Sequence, residues 1–333
     1  PLPGRIAVVL LGLVVAGSIL GLIQFSGNRI ANPFINDQAP AVSANFANRN
    51  HFALFLAVGC VLASAWALPG GAKRWKIVLA SALIILFTLM ILATGSRMGI
   101  VLGAVAIAVS FALISRDLRG SVKSLPPWAL YSLTGIAFAS LVAAVALSVS
   151  LDRAASLARV ATIESEAEIR GRIWPVVIDA TQRYFPVGSG FGTFDKAFRI
   201  SEPDHLLAPT YVNQAHSDWL QVLLEGGIAG GALLVGALIW VGVRGAGVWL
   251  GGADPSRLHG RAGFAIILLI LIASVSDYPS RTPMIMALLM LASVWLASPG
   301  RTFAGTPAGL RKATLYHPHT HVYRFRPAQA GSP

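Results

Sequence analysis

Four short polar clusters interrupt an otherwise apolar chain, and each holds side chains that can do chemistry. Asn45-Phe-Ala-Asn-Arg-Asn-His51 offers the amide of Asn50, the Arg49 guanidinium and the His51 imidazole. Thr94-Gly-Ser-Arg97 adds the Ser96 hydroxyl and a second guanidinium. Glu168-Ile-Arg-Gly-Arg-Ile-Trp174, continuing to Phe185-Pro-Val-Gly-Ser-Gly-Phe-Gly-Thr-Phe194, contributes Arg170, Arg172 and Trp174. The fourth, Ala215-His-Ser-Asp218, runs into Trp219-Leu-Gln-Val-Leu-Leu-Glu-Gly-Gly-Ile-Ala-Gly-Gly231. A guanidinium is a permanent cation whose fork matches two phosphate oxygens. An imidazole exchanges protons near neutral pH. Anion binding and proton transfer are therefore the chemistries on offer.

Each cluster also has a structural reading. The first suits an interfacial helix start, with Asn50 capping and His51 at headgroup level. Arg97 either snorkels to headgroups or points into the protein as a clamp. Arg170 and Trp174, four apart, share a helical face. The Gly188, Gly190 and Gly192 series has nucleotide-loop spacing, but no strand signal precedes it. A tight turn, or one that brings backbone amides to an anion, explains it better. His216, where a loop enters an apolar helix, is either a hydrogen-bonding structural residue or a base. On a straight helix Glu225 lies about 13 Å deeper and on the opposite side, so the two cannot form one acid–base pair. Asp218 and Glu225, seven apart, share a face. Gly226/Gly230 and Gly227/Gly231 favour close helix packing, which makes Glu225 a packed structural residue.

The elements that position these clusters are membrane spans. The chain has 333 residues, 55% hydrophobic and 12% charged, whereas soluble chains run at roughly 25% charged. Its apolar blocks approach the roughly 17–25 residues that cross a bilayer. The expected fold class is all-α, a polytopic α-helical membrane protein. About eight transmembrane helices are expected, with one long periplasmic loop containing short helices. The spans are Ile6–Phe25, Phe52–Leu68, Ile77–Ala93, Met98–Ser115, Trp128–Ser150, Trp219–Val243, Ala262–Val275 and Pro283–Ala297. The chain accordingly divides into residues 1–150 with five helices, 151–218 as the loop, 219–298 with three helices, and a cytoplasmic tail, 299–333, expected to be disordered. Pro1 is no initiator and no small-residue cleavage site follows the first apolar block, so a signal peptide is not expected and a longer natural N-terminus is. The lone cysteine, Cys60, excludes a disulfide framework and a Cys-based zinc site.

Lysine and arginine orient this plan. With the N-terminus in the cytoplasm, fifteen of the 26 fall on the inner side and only Arg29, Arg49, Arg97 and Arg281 in the short outer connections. That asymmetry is the positive-inside pattern. It accounts for much of the formal charge of +12 without a nucleic-acid partner. All four polar clusters then lie on the outer face, and the 65-odd residues of the loop join them there. A loop that long is uncommon without function. Nothing on this face has metal-ligand spacing. The His317-Pro-His-Thr-His321 stretch of the tail is read as an extension that binds metal only adventitiously.

The order and spacing of the clusters resemble the O-antigen ligase and O-antigen polymerase superfamily of bacterial membrane glycosyltransferases. The resemblance rests on Asn48-Arg-Asn-His-Phe-Ala53, Gly95-Ser-Arg97, Arg170 to Trp174, Pro186-Val-Gly-Ser-Gly190, Ala215-His-Ser-Asp-Trp-Leu220 and Glu225-Gly-Gly-Ile-Ala-Gly230. It covers about Phe25 to Gly231. Ser217 stands where the superfamily usually has Asn, the glycines after Pro186 come one position early, and members usually carry more N-terminal spans.

The resemblance implies an enzyme without metal or other cofactor in the bacterial inner membrane, its active site facing the periplasm. It would move a glycan from undecaprenyl pyrophosphate to an acceptor hydroxyl, on lipid A-core or a similar glycan. His216 would be the general base. Arg97 and Arg170 would hold the pyrophosphate, with Arg172 as a substitute for Arg170 and Arg49 as a lesser candidate. Asn50, His51, Ser96, Trp174 and Asp218 would support them. The ligase reaction leads; a polymerase of the same superfamily would use the same groups. A membrane transporter is the alternative from another class, but transporters gather polar residues near the midplane on broken helices. Here the spans are nearly free of charge at their centres.

Overall fold

A hydrocarbon environment offers no hydrogen bonds, so a spanning backbone must satisfy its own, as a helix does. The computed structural model describes residues 2–26, 35, 42–69, 73–118, 166–207, 212–252 and 254–298. Among these the regular elements are helices: α1 (Leu2–Phe25), α2 (Arg49–Ala67), α3 (Arg74–Ala93), α4 (Arg97–Leu118), α5 (Glu166–Tyr184), α6 (Phe194–Ser201), α7 (Asp218–Leu250), α8 (Leu258–Ser276) and α9 (Pro283–Ala297). Short 3₁₀ turns join them. Six helices, α1 to α4, α7 and α8, are long and apolar enough to cross a membrane, and α9 is a shorter apolar helix. The polytopic helical fold class is therefore borne out. The expected span Trp128–Ser150, the first part of the long loop and the tail beyond Ser298 lie outside the described residues, so the count of eight is not tested.

Helix α2 is the axis of the bundle. In its span 94% of residues are buried, against 28–33% in α1, α3, α4 and α7, because α1, α3, α4 and α8 surround it. Small residues allow that crowding. A Cβ on Gly59 would sit 2.6 Å from Val14 and 2.9 Å from Phe87, and one on Gly99 would sit 2.6 Å from the Ala53 Cβ. The outer helices turn Val9, Val78 and Leu233 outward. Such a surface is costly in water and neutral against acyl chains.

Three features depart from the sequence reading. Helix α8 begins at Leu258 rather than Ala262, because Arg261 belongs to the helix and is fully buried. Its Nε and Nη2 donate to the carbonyls of Val248 and Gly252, where α7 ends. Helix α7 continues through Arg244 to Leu250. The loop helix α5 is nineteen residues long rather than short.

The fit at Gly99 has a measurable consequence. Gly99→Ala is expected to destabilise the solubilised protein by about 1–3 kcal/mol, since neither backbone nor Ala53 can yield cheaply. Gly236→Ala, where a Cβ meets nothing within 4 Å, is expected to be neutral or slightly stabilising. Paired thermal unfolding scans check this; equal midpoints would contradict the packing account.

A candidate active site at one end of the bundle

The site is assembled around a carboxylate that the sequence reading passed over. Asp277 follows the last turn of α8 in extended conformation and is 1% exposed. Its oxygens accept from Asn48 Nδ2 at 3.0 and 3.3 Å, from Asn50 Nδ2 at 2.8 Å and from the Tyr278 N–H at 2.9 Å. His51 Nε2 lies 3.4 Å from Oδ1. The Asp277 carbonyl accepts from the Asp218 N–H at 3.1 Å. One residue thus ties the start of α2 and the start of α7 to the end of α8. Burial pushes the carboxyl upward, but the facing His51 imidazole, the Asn50 amide and the Tyr278 N–H outweigh it and hold the pKa at about 2.

The start of α2 differs from expectation. Asn48, not Asn50, caps the helix, accepting from the Asn50 N–H at 2.7 Å. Asn50 is inside the helix, and His51 is 3% exposed rather than at headgroup level. Asn50 Oδ1 accepts from Ser96 Oγ at 2.7 Å, and Ser96 Oγ accepts from the Gly99 N–H at 2.8 Å. Ser96 therefore caps α4 and fastens the α3–α4 turn to α2. Arg97 is exposed as the first residue of α4, and Arg49 is half-buried with its Nη1 beside Gly95.

His216 sits in a strained turn. Its φ is +51°, in the left-handed region that costs L-residues roughly 1–2 kcal/mol. Both neighbours are pinned. The Ala215 N–H donates to Gln221 Oε1 at 3.1 Å, and Ser217 caps α7 through the Leu220 N–H. The imidazole meets the Tyr278 ring edge-on at 5.2 Å, and His51 meets the same ring at 5.3 Å. Both imidazoles thus contact the one Tyr278 ring.

Arg281 is the second residue missed; the sequence reading used it only as an outer cation. Its Nε lies 3.5 Å from Asp218 Oδ1 and its Nη2 3.3 Å from Glu225 Oε2, spanning the two acids. Asp218 Oδ2 also accepts from Ser274 Oγ and the Ser280 N–H. Glu225 Oε1 accepts from Gln221 Nε2 and from the Phe194 N–H that starts α6. The shared face of Asp218 and Glu225, and the structural role read for Glu225, both agree with this geometry.

The glycine reading needs correction. Gly227 does not serve regular helix packing: at φ +54°, ψ −140° it breaks α7. The break exposes backbone groups, and the Pro186–Gly190 turn takes them up. Ser189 N–H donates to the Leu224 carbonyl, Gly190 N–H to the Glu225 carbonyl, and Ile228 N–H to the Pro186 carbonyl, each at 2.9 Å. A Cβ on Gly188 would fall 2.5 Å from the Glu225 carbonyl oxygen, so the approach requires glycine there.

Helix α5 is held beside the His216 turn by Ile173, Val177 and Ala180, which are buried with Ala215 and Leu224. On it Arg170 and Trp174 are half-buried and Arg172 is exposed. The Trp174 indole N–H has no hydrogen-bond partner among the described residues. The structure therefore brings His216, His51, Asn50 and Ser96 into one connected set through Asp277 and Tyr278. Arg49 and Arg97 flank the same α3–α4 turn, and Asp218 joins through its N–H on the Asp277 carbonyl. Arg170, Arg172 and Trp174 lie on α5, which packs beside the His216 turn. Among the described residues, no three His, Cys, Asp or Glu side chains form a metal-binding group.

Residues 82–235 match the family model described as O-antigen ligase. That stretch holds Arg97, Arg170, Arg172, Trp174, His216 and Glu225, and the resemblance to the O-antigen ligase and polymerase superfamily is borne out over it. The match and the six apolar helices support a multi-pass membrane protein with a ligase- or polymerase-type function, a glycosyltransferase-like enzyme. No curated protein matches the chain. Asp277 and Tyr278 lie beyond the matched stretch.

Asp277→Ala is expected to cost about 3–5 kcal/mol, the usual loss when one partner of a buried pair is removed. Its contribution has a defined pH dependence. Because the folded carboxyl sits at about 2, below the ordinary value of about 3.9, the stabilisation is complete above the ordinary value. It is lost as the pH falls through the folded one. Chemical unfolding of wild type and variant at several pH values checks this; a difference that vanishes already near pH 6 would contradict it.

Proposed function

We propose that this chain transfers a glycan from undecaprenyl pyrophosphate to an acceptor hydroxyl at the periplasmic face of the bacterial inner membrane, with lipid A-core or a similar glycan as acceptor. The observation that carries the reading is the pinned, left-handed His216 turn beside Tyr278, at the same end of the bundle as Arg49 and Arg97. Strain held in place by its surroundings is characteristic of functional positions.

In the proposed step the acceptor oxygen attacks the anomeric carbon. The new C–O bond forms as the bond to pyrophosphate breaks, and the acceptor proton passes to the His216 imidazole. Negative charge grows on the departing pyrophosphate. Fixed guanidinium groups meet it without reorganisation; Arg97 and Arg170 are assigned that role, with Arg49 and Arg172 flanking them. His51, Asn50, Ser96 and Asp218 hold the elements that carry these groups, and Asp277 and Tyr278 join them as positioning residues. The prenyl tail remains in the bilayer and the sugars in water.

His216→Asn is the sharper test than His216→Ala, since Asn tolerates the left-handed conformation and separates loss of the base from loss of the turn. Each is expected to lower glycan transfer by about 10²–10⁴-fold, with folding kept in the Asn variant. Arg97→Ala and Arg170→Ala are expected to impair use of the donor, with Lys restoring only part because the fork is lost. Surface-glycan profiles of a deletion strain complemented with each variant provide the readout. Loss of polymer-capped core with accumulation of lipid-linked polymer identifies the ligase reaction, and single-repeat capping identifies a polymerase. Full transfer by His216→Asn would remove the proposed base.

A further inference from the structure

The opposite end of α7 carries a different set of cations. Arg257 precedes the first residue of α8 and Asp277 follows its last, so the nineteen-residue helix between them sets a rise of about 28 Å, close to the roughly 30 Å of hydrocarbon in a bilayer, and Arg244 lies beside Arg257. It therefore stands at the polar boundary of the other leaflet from His216. There a hollow of about 230 Å³ opens between Val243, Arg244, Gly247, Val248 and Arg257.

Its two guanidinium groups are held by helix ends. Arg244 Nη2 donates to the carbonyls of Leu296 and Ala297 at the end of α9. Arg257 Nη1 donates to the Gly247 carbonyl at 2.9 Å, and its Nε faces Asp254 Oδ2 at 3.6 Å. A guanidinium has five N–H donors, so among the described residues both keep donors in excess of their partners. Arg261 is buried just behind, on the carbonyls of Val248 and Gly252. Asp254 is the one acidic side chain paired with this group among the described residues, so the hollow is net cationic.

The hollow also has an apolar approach. Ile239, Val243 and Leu250 are strongly exposed on α7, a surface that acyl chains would cover. Two cations at the membrane boundary above such a surface fit a phosphate that is attached to hydrocarbon. We propose that this hollow binds the phosphate of an anionic phospholipid, whose acyl chains run along the exposed side of α7. The binding is independent of the glycan-transfer reading, since none of its residues lies near His216.

Native mass spectrometry of the full chain, with phosphatidylglycerol or phosphatidylcholine supplied in mixed micelles, tests it. Wild type is expected to retain phosphatidylglycerol preferentially. Arg244→Gln and Arg257→Gln are each expected to weaken retention about fivefold, the effect of one cation near a charged membrane surface. Val243→Trp keeps both arginines but fills the hollow. It is expected to lose the preference too, and it decides the matter where an arginine variant fails to fold. Inorganic phosphate is expected to displace the lipid poorly. Equal retention of the two lipids, unchanged retention in folded variants, or displacement by inorganic phosphate as effective as by the lipid would overturn the proposal.

Discussion

The geometry of the candidate site depends on one buried carboxylate. Asp277 accepts from the side chains of Asn48 and Asn50 and faces His51, so α2 cannot shift along its axis without leaving an unpaired charge in the protein interior. Its backbone carbonyl holds the first N–H of α7, which fixes the exit of the His216 turn. Tyr278, one residue on, contacts both imidazoles. A residue between two apolar helices, α8 and α9, thus fixes the starts of two others, α2 and α7, against the end of α8.

A second constraint is the break in α7. An interrupted helix leaves donors and acceptors that must find partners where water is scarce. The Pro186–Gly190 turn supplies them, and Glu225 in return meets the first N–H of α6. The loop that carries Arg170 is thereby joined to the membrane helix that carries His216, by backbone bonds and by the packing of Ile173 and Val177 against Ala215. At the far end Arg244, Arg257 and Arg261 satisfy the last carbonyls of α7 and α9. Basic residues at helix C-termini also complement the helix dipole.

Much of this was legible in the residues. Long apolar blocks dictate helices whatever their partners, so α1 to α4 and α7 to α9 follow from hydropathy. Polar clusters in an apolar chain pointed to His216, His51, Asn50 and Ser96, and the structure connects them. Helix boundaries were less legible: Arg261 resembles a loop cation until the α7 carbonyls it satisfies are seen. The small-residue spacing of Gly226 to Gly231 indicated close packing, yet a backbone break at Gly227 has the same composition, and only φ and ψ separate the two. Asp277 and Arg281 escaped because an isolated acid and base in a short connection look like solvated residues. The available signal was Asp277-Tyr-Pro-Ser-Arg281 as a fifth polar cluster on the same side as the other four. Its partners are over fifty residues away in sequence, so spacing alone could not reveal the pairing.

The central proposal is that the imidazole of His216 and the guanidinium groups of Arg97 and Arg170 share one hollow with the donor pyrophosphate. A cryo-EM map of the protein in a lipid nanodisc with bound undecaprenyl pyrophosphate tests this most directly. The account predicts density for the diphosphate against Arg97 and Arg170, with His216 turned toward the space where an acceptor hydroxyl would sit. Diphosphate density elsewhere, or His216 directed into the acyl chains, would contradict it.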